Sequence, residues 1–306
     1  MRWGVALNVR ETITETLQKA EHADRGGIDQ VWVTDFPVLR YAPTVAAAIA
    51  ERTKSCRIGV GLVSPLLYSS TQIVQFMSTL ADSYGERFDL LLGPGDKLAL
   101  ARVGISYSSK IMVEKTTSAL MEIKQRISEA GHSCSVFLGA QGPVMIKAAL
   151  KADGVLLNYS DLEMIEWALN QIKNEIPAGF QLGLFPPTYV GDCQDFLTNE
   201  SISYSAAMVA IGLSRVVSNS FGFQNRLQTA RGLMKEHGQM RMDVVNSLGS
   251  EFLQRFAFCG TGEQLHVYMK ALEKMGFTSI IFGPPQGIRQ HGVEILVKAK
   301  SIYYAD

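Results

Sequence analysis

The sequence predicts a closed (β/α)₈ barrel, and three observations carry the prediction. Eight apolar runs of strand length alternate with segments of helical period almost from end to end, which is the pattern of a parallel sheet built from βα units. Polar residues are sparse inside those runs, as they are in strands covered on both faces. Several runs lead straight into a glycine-rich corner before the next helix opens, and such corners let backbone N–H groups approach a ligand where a Cβ would clash.

Taken in order, the first strand is expected over 3–7. A helix over 12–24 follows, with Ile13, Leu17 and Ala20 on one face and Gly26-Gly27 as a left-handed exit. Further strands are expected over 30–34, 56–63, 88–92, 135–138, 154–158, 181–185 and 279–282. One stretch breaks the rhythm. Between the seventh and eighth strands, residues 192–258 read as helical, with Ala206, Met208, Val209, Ile211 and Leu213 followed by Phe221, Leu227, Leu233 and Met234. Because the ends of this excursion must rejoin one sheet, residues 1–306 are expected to form a single domain with a helical rim rather than two domains. Met234, Met240 and Met242 suit either an adaptable apolar lid or ordinary helix packing.

Composition excludes some function classes. Lys plus Arg equals Asp plus Glu at 29 each, so no excess of positive charge argues for nucleic acid or an anionic membrane surface. Cys56, Cys134, Cys193 and Cys259 lie far apart without paired spacing, which predicts reduced thiols in a cytoplasmic protein and no zinc site. No apolar signal segment precedes the first strand and no run of about 18 apolar residues occurs, so neither export nor a membrane span is expected.

In a barrel of this kind the loops after the carboxyl ends of the strands build the active site. Three glycine corners fall there: Gly59 to Pro65, Leu92 to Lys97, and Phe137 to Pro143. A helix opening after such a corner points its positive end at any phosphate held there. Asp35, which closes the second strand, is read as an acceptor for cofactor hydrogen-bond donors or as a cap of the next turn. Asp96 either caps the helix opening at Lys97 or faces a substrate across the mouth. Asn158 ends the sixth strand and can both donate and accept, which suits a cofactor contact.

Together, Gly93-Pro94-Gly95-Asp96-Lys97, Gly139-Ala140-Gln141-Gly142-Pro143 with Lys147, and Asp153-Gly154 leading to Asn158 closely resemble the coenzyme F420-dependent methylenetetrahydromethanopterin reductases of the bacterial-luciferase-like superfamily. The resemblance runs from Met1 to about Asn158 and resumes from Phe258 to Pro284. It implies a luciferase-like barrel in which a deazaflavin ring lies across the mouth, backed by a bulge with a non-prolyl cis peptide that maps onto Gly61-Leu62. Val63 and Ser64 would continue the wall facing the ring. Gly139, Ala140, Gln141 and Gly142 would hold the cofactor phosphate. The implied reaction is hydride transfer between coenzyme F420 and a small-molecule substrate, a tetrahydromethanopterin derivative or a related compound. An FMN-dependent monooxygenase and a weakened flavin-binding protein are the alternatives. Family members commonly form homodimers or higher oligomers, and apolar residues in the helices at 71–80 and 119–127 would permit that.

Two residues depart from the family pattern. The family places a glutamate at the end of the first strand, where this chain has Ala6, and alanine can neither donate nor accept a proton. Many members also follow the aspartate of the second strand with histidine, where this chain has Phe36. Asp96 is the carboxylate left to anchor a substrate. The cofactor features are thus better preserved than the proton-handling ones.

Overall fold

The eight apolar runs form the staves of a closed parallel barrel in the computed structural model, which describes residues 1–7, 10–37, 39–191, 196 and 199–304. The strands are β1 (Arg2–Leu7), β2 (Gln30–Val33), β3 (Arg57–Val63), β4 (Phe88–Leu92), β5 (Ser135–Ala140), β6 (Gly154–Leu157) and β7 (Gln181–Leu184). Two short strands outside the barrel follow, β8 (Thr188–Val190) and β9 (Phe258–Gly260), and β10 (Ser279–Phe282) pairs with both β7 and β1 to close the ring. Helices between the barrel strands are α1 (Ile13–Arg25), α2 (Ala42–Arg52), α3 (Ser70–Tyr84), α4 (Lys97–Arg102), α5 (Ser109–Glu129), α6 (Pro143–Ala148) and α7 (Leu162–Asn170). The excursion carries α8 (Glu200–Ile211), α9 (Arg215–Ser220), α10 (Gln224–His237), α11 (Met242–Leu248) and α12 (Ser250–Leu253), and α13 (Gly262–Lys274) and α14 (Gln290–Tyr303) flank the last strand.

Alternation along the strands separates two apolar layers. Outward residues such as Val5, Val31, Val60, Leu90, Leu138, Val155 and Ile280 are buried against the helices. Inward residues form a smaller cluster inside the barrel: Ala6, Trp32, Leu91, Phe137, Leu156 and Ile281, with Leu62 and Phe185 packed on it. Trp32 occupies the most space. Its ring meets Phe137 and Phe185 edge-on at 6.2 and 6.1 Å, and it fits only because its neighbour on β3 is glycine: a Cβ at Gly59 would stand 2.0 Å from the indole. The amino-terminal end of the barrel is plugged by Asp89, which accepts from Arg57 Nε at 2.9 Å and Nη2 at 2.7 Å, and from Gln30 at 3.4 Å. That leaves the carboxyl end as the face open to chemistry.

The structure corrects several expectations. The helix exit uses Gly27 at φ 76°, whereas Gly26 keeps φ −80°. Residues 258–260, which the sequence shows only as a return to resemblance, pair with 188–190 in the two-stranded sheet that closes the base of the excursion. The excursion is helical as expected, and Met234, Met240 and Met242 pack into or against the main core, the ordinary helix-packing outcome. Cys56 and Cys134 are free thiols, but Cys259 is disulfide-bonded, contrary to the expectation of four reduced cysteines. Sequence spacing misses such a bridge because it requires only that two Cα atoms approach in space. Cys193 lies outside the described residues. In the helices at 71–80 and 119–127, Ile73, Phe76, Met77, Leu80, Ala119, Leu120, Ile123 and Ile127 are buried within this chain, whereas Met121 is 49% exposed. Among the described residues no helix is long and apolar enough to cross a membrane, and no cluster of three metal-ligating side chains occurs.

Candidate active site

The mouth is organised by the end of β3. Pairing with β4 slips between Gly61 and Val63, and the Gly61-Leu62 peptide is cis. The bulge turns Leu62 toward the barrel interior, where it lies across Gly93, just beyond β4, and Gly139 of β5: a Cβ at Gly93 would stand 2.5 Å, and one at Gly139 3.0 Å, from the Leu62 side chain. Glycine at both positions therefore lets one leucine roof the inner core and form an apolar platform. Val63 turns the other way and is fully buried between barrel and helices, so its backbone, not its side chain, borders the mouth.

Ser64 ties the platform down. Its hydroxyl donates to the Pro94 carbonyl at 2.9 Å and accepts from the Leu66 N–H at 3.2 Å, which joins the loop after β3 to the loop after β4. The hydroxyl is thus engaged within the chain. Ser64→Ala is expected to cost about 0.5–1.5 kcal/mol, read as a shift in the denaturation midpoint.

The corner after β5 leads straight into α6. Gly142 caps α6 without any side-chain oxygen, and Pro143 takes the first helical position, so the first-turn N–H groups have no side-chain cap. A Cβ at Gly142 would stand 3.1 Å from Ser214 Oγ, which places the corner against the start of α9. Gln141 Nε2 donates to the Val209 carbonyl of α8 at 3.3 Å, so this side chain holds the excursion against the barrel. Ala140 is buried and Lys147 is exposed.

Asn158 stands just beyond β6, its Oδ1 buried and without a hydrogen-bond partner. Asp96 is exposed, and its Oδ1 accepts from the Ala99 N–H at 2.8 Å as the cap of α4. Asp35 is very different. Only 9% of it is exposed; the Ala42 N–H donates to Oδ1 at 3.4 Å, while Oδ2 is buried with no partner. Burial pushes its carboxyl above the usual range, and the Ala42 N–H and the Tyr68 hydroxyl take back part of the rise. The Tyr41 and Tyr68 rings lie 5.9 Å apart beside it, and burial together with the Asp35 charge raises both phenols.

Ala6 faces inward and is 1% exposed, level with Trp32 in the β1–β2 register and inside the inner cluster. Phe36 is 44% exposed at the rim. One organising residue has no motif to betray it. Lys19 on α1 is 2% exposed and donates to Glu11 at 2.6 Å and to the Gly287 and Ile288 carbonyls at 2.5 and 2.8 Å, which clasps the loop after β1 to the loop after β10. The only trace in the sequence is a lysine on the α1 face that should be apolar.

The residues present fit a flavin-like cofactor. Leu62 roofs the inner core at the end of β3, the orphaned Oδ1 of Asn158 follows β6, and the uncapped start of α6 follows β5, all at the carboxyl ends of barrel strands. Comparison with known proteins agrees with that geometry. Residues 1–111 match the family model for luciferase-like monooxygenases. The chain is 23% identical over 314 residues to the 5,10-methylenetetrahydromethanopterin reductase of Methanolobus tindarius, covering 94% of this chain and 95% of that one. It is 25% identical over 318 residues to the enzyme of the same name from Archaeoglobus fulgidus, covering 91% and 93%. Among solved structures, the coenzyme F420-dependent tetrahydromethanopterin reductase of Methanopyrus kandleri superposes with a TM-score of 0.82 at 17% identity, over 97% of each chain.

Proposed function

We propose that this chain, a luciferase-like barrel resembling the F420-dependent methylenetetrahydromethanopterin reductases, is an oxidoreductase that moves a hydride between coenzyme F420 and a small-molecule substrate. Methylenetetrahydromethanopterin or a related compound is the substrate it favours. The observation that carries the reading is the Leu62 platform between Gly93 and Gly139, a flat apolar support at the carboxyl end of the barrel. A deazaflavin bound there would supply the hydride from its C5.

The chain's own residues would then do three things. Gly61, Leu62 and Gly139 would back the ring and keep water from one face, with the Val63 backbone and the Ser64 tie fixing the bulge. The N–H groups of the corner from Gly139 to Gly142, where α6 opens, would receive the cofactor phosphate, with Gln141 holding α8 in place. Asn158 Oδ1 would accept from a ring N–H, and Asp96 at the rim would anchor polar substrate groups. The excursion belongs to the same domain in this reading, because its apolar residues join the main core.

FMN is the competing cofactor, favoured by the match of residues 1–111 to luciferase-like monooxygenases. Calorimetric titration with each cofactor separates the two. Tight F420 binding, followed by oxidation of the reduced form on anaerobic mixing with methylenetetrahydromethanopterin, is the expected result. Preference for FMN would move the chain to oxygen chemistry, and binding of neither would overturn the reading.

A further inference from the structure

The Leu62 platform makes one wall of the mouth, and the topology determines which loops make the other. In the strand order β1-β10-β7-β6-β5-β4-β3-β2, strands β3, β4 and β5 stand diametrically opposite β7, β10 and β1. Leu62, Gly93 and Gly139 belong to the first arc. A substrate that meets a ring on this platform must therefore lie against the loops after β7, β10 and β1.

Two buried polar side chains join those three loops. Gln286, 3% exposed in the loop after β10, accepts from the Val190 N–H of β8 at 2.6 Å and donates to the Gly292 carbonyl of α14 at 2.8 Å. The Gly283 N–H adds a bond to the Pro186 carbonyl at 2.9 Å. Lys19 makes the join on the β1 side. Its bonds to Glu11, Gly287 and Ile288 occupy all three donors of an ammonium, so it organises the loops rather than holding a ligand. Glu11 is oriented in turn by the Thr16 hydroxyl, which donates to Oε1 at 2.9 Å. At this clasp Gly287 lies directly on the end of β1, where a Cβ would stand 2.0 Å from the Ala6 carbonyl oxygen.

We propose that Lys19 is a positioning residue of the site: acting through Gly287 and Ile288, it sets the wall that holds the substrate against the cofactor platform. The role rests on the oxidoreductase reading above. An apolar side chain would cover this face of α1 without the desolvation that a buried ammonium suffers. What the lysine adds is a fixed spacing between two mouth loops. Hydride transfer is sensitive to that spacing, since a misplacement of about 1 Å can slow a reaction about 100-fold.

Lys19→Met keeps an unbranched side chain but removes its donors, and Lys300→Met is the matched control. Lys300 is also buried and donates to the Gly27 carbonyl and, at 2.6 Å, to Asp29, but at the amino-terminal end of the barrel. In the cofactor-free proteins, amide exchange over 283–289 is expected to speed up in Lys19→Met alone, with the loop after β3 unchanged. In single-turnover mixing of the F420-loaded protein with methylenetetrahydromethanopterin, Lys19→Met is expected to slow hydride transfer about 10- to 100-fold and to weaken substrate binding, with F420 affinity held within about threefold. Lys300→Met should lower the melting temperature and leave these quantities at wild-type values. If Lys19→Met does not fold, Glu11→Gln loosens the same clasp while leaving Lys19 its two carbonyls, and should slow hydride transfer in the same direction. A wild-type rate in Lys19→Met, or in Glu11→Gln where it stands in, would overturn the assignment and leave the reductase reading standing. An equal loss of rate in Lys300→Met would do the same, because it would trace the effect to stability. Wild-type protein that binds no F420, or binds it and transfers no hydride, would overturn both.

Discussion

Ala6→Glu is expected to lower stability by about 3–5 kcal/mol and to add no turnover, although it restores the residue that related reductases are expected to carry. The reason is space and charge. Ala6 is level with Trp32, inside a cluster completed by Leu91, Phe137, Leu156 and Ile281, and a Cβ at Gly287 would already stand 2.0 Å from the Ala6 carbonyl oxygen. A glutamate there must displace packed rings and bury a carboxyl among them without a partner. The pH dependence gives the sign. Burial raises the pKa of the inserted acid in the folded state above its unfolded value of about 4.3, so the folded form binds the extra proton more firmly. The charge penalty is then absent below that value, grows as pH rises through the interval, and is complete above the folded pKa. Urea titrations of variant and wild type at acid and at neutral pH should show the deficit widening toward neutral pH. Equal stability with faster turnover would instead mean that the barrel has room for the acid, and that the chain is a reductase that lost its glutamate without refilling the site.

This expectation also marks what the sequence could and could not reveal. The eight strands were legible because alternation between two apolar layers leaves a nearly unbroken apolar run in each, and the glycines at 61, 93 and 139 were legible because they interrupt those runs at the same end. What hid was whatever depends on neighbours distant in the chain. Trp32 and Gly59 explain each other only across the β2–β3 register. Ser64, Gln141 and Val63 fall within the cofactor motif, yet Ser64 is committed to a carbonyl of the loop after β4, Gln141 to a carbonyl of α8, and Val63 faces the outer core. Asp35 and Asp96 look alike in the sequence, each a lone carboxylate after a strand; only burial tells the sealed acid from the exposed cap. Ala6 was visible as a missing acid, whereas the indole occupying its surroundings was not.

Gly61→Ala should abolish the platform while leaving most of the barrel intact. Gly61 has φ +150°, which side-chain-bearing residues rarely adopt, and a Cβ there would stand 2.5 Å from the Leu91 carbonyl oxygen and 2.7 Å from Leu91 Cβ. Leu91 cannot retreat easily, since it is paired with Phe137 on β5 and packed in the inner cluster. Overpacking of about 1–3 kcal/mol and a backbone penalty of about 1–3 kcal/mol therefore fall on the bulge that sets Leu62 across Gly93 and Gly139. Gly131→Ala supplies the control. It has φ +80° but nothing within 4 Å of its Cβ, so it carries the backbone cost without the collision and lies far from the mouth in the α5–β5 turn. If the platform supports the cofactor, Gly61→Ala loses F420 affinity about tenfold for each 1.4 kcal/mol the displaced leucine costs the bound state, whereas Gly131→Ala shifts only the melting temperature. Calorimetry on both variants reads the difference. Equal affinities would show that the bulge shapes the barrel without supporting the ring, and would shift the search for the ring's support to the loops after β1, β2 and β10.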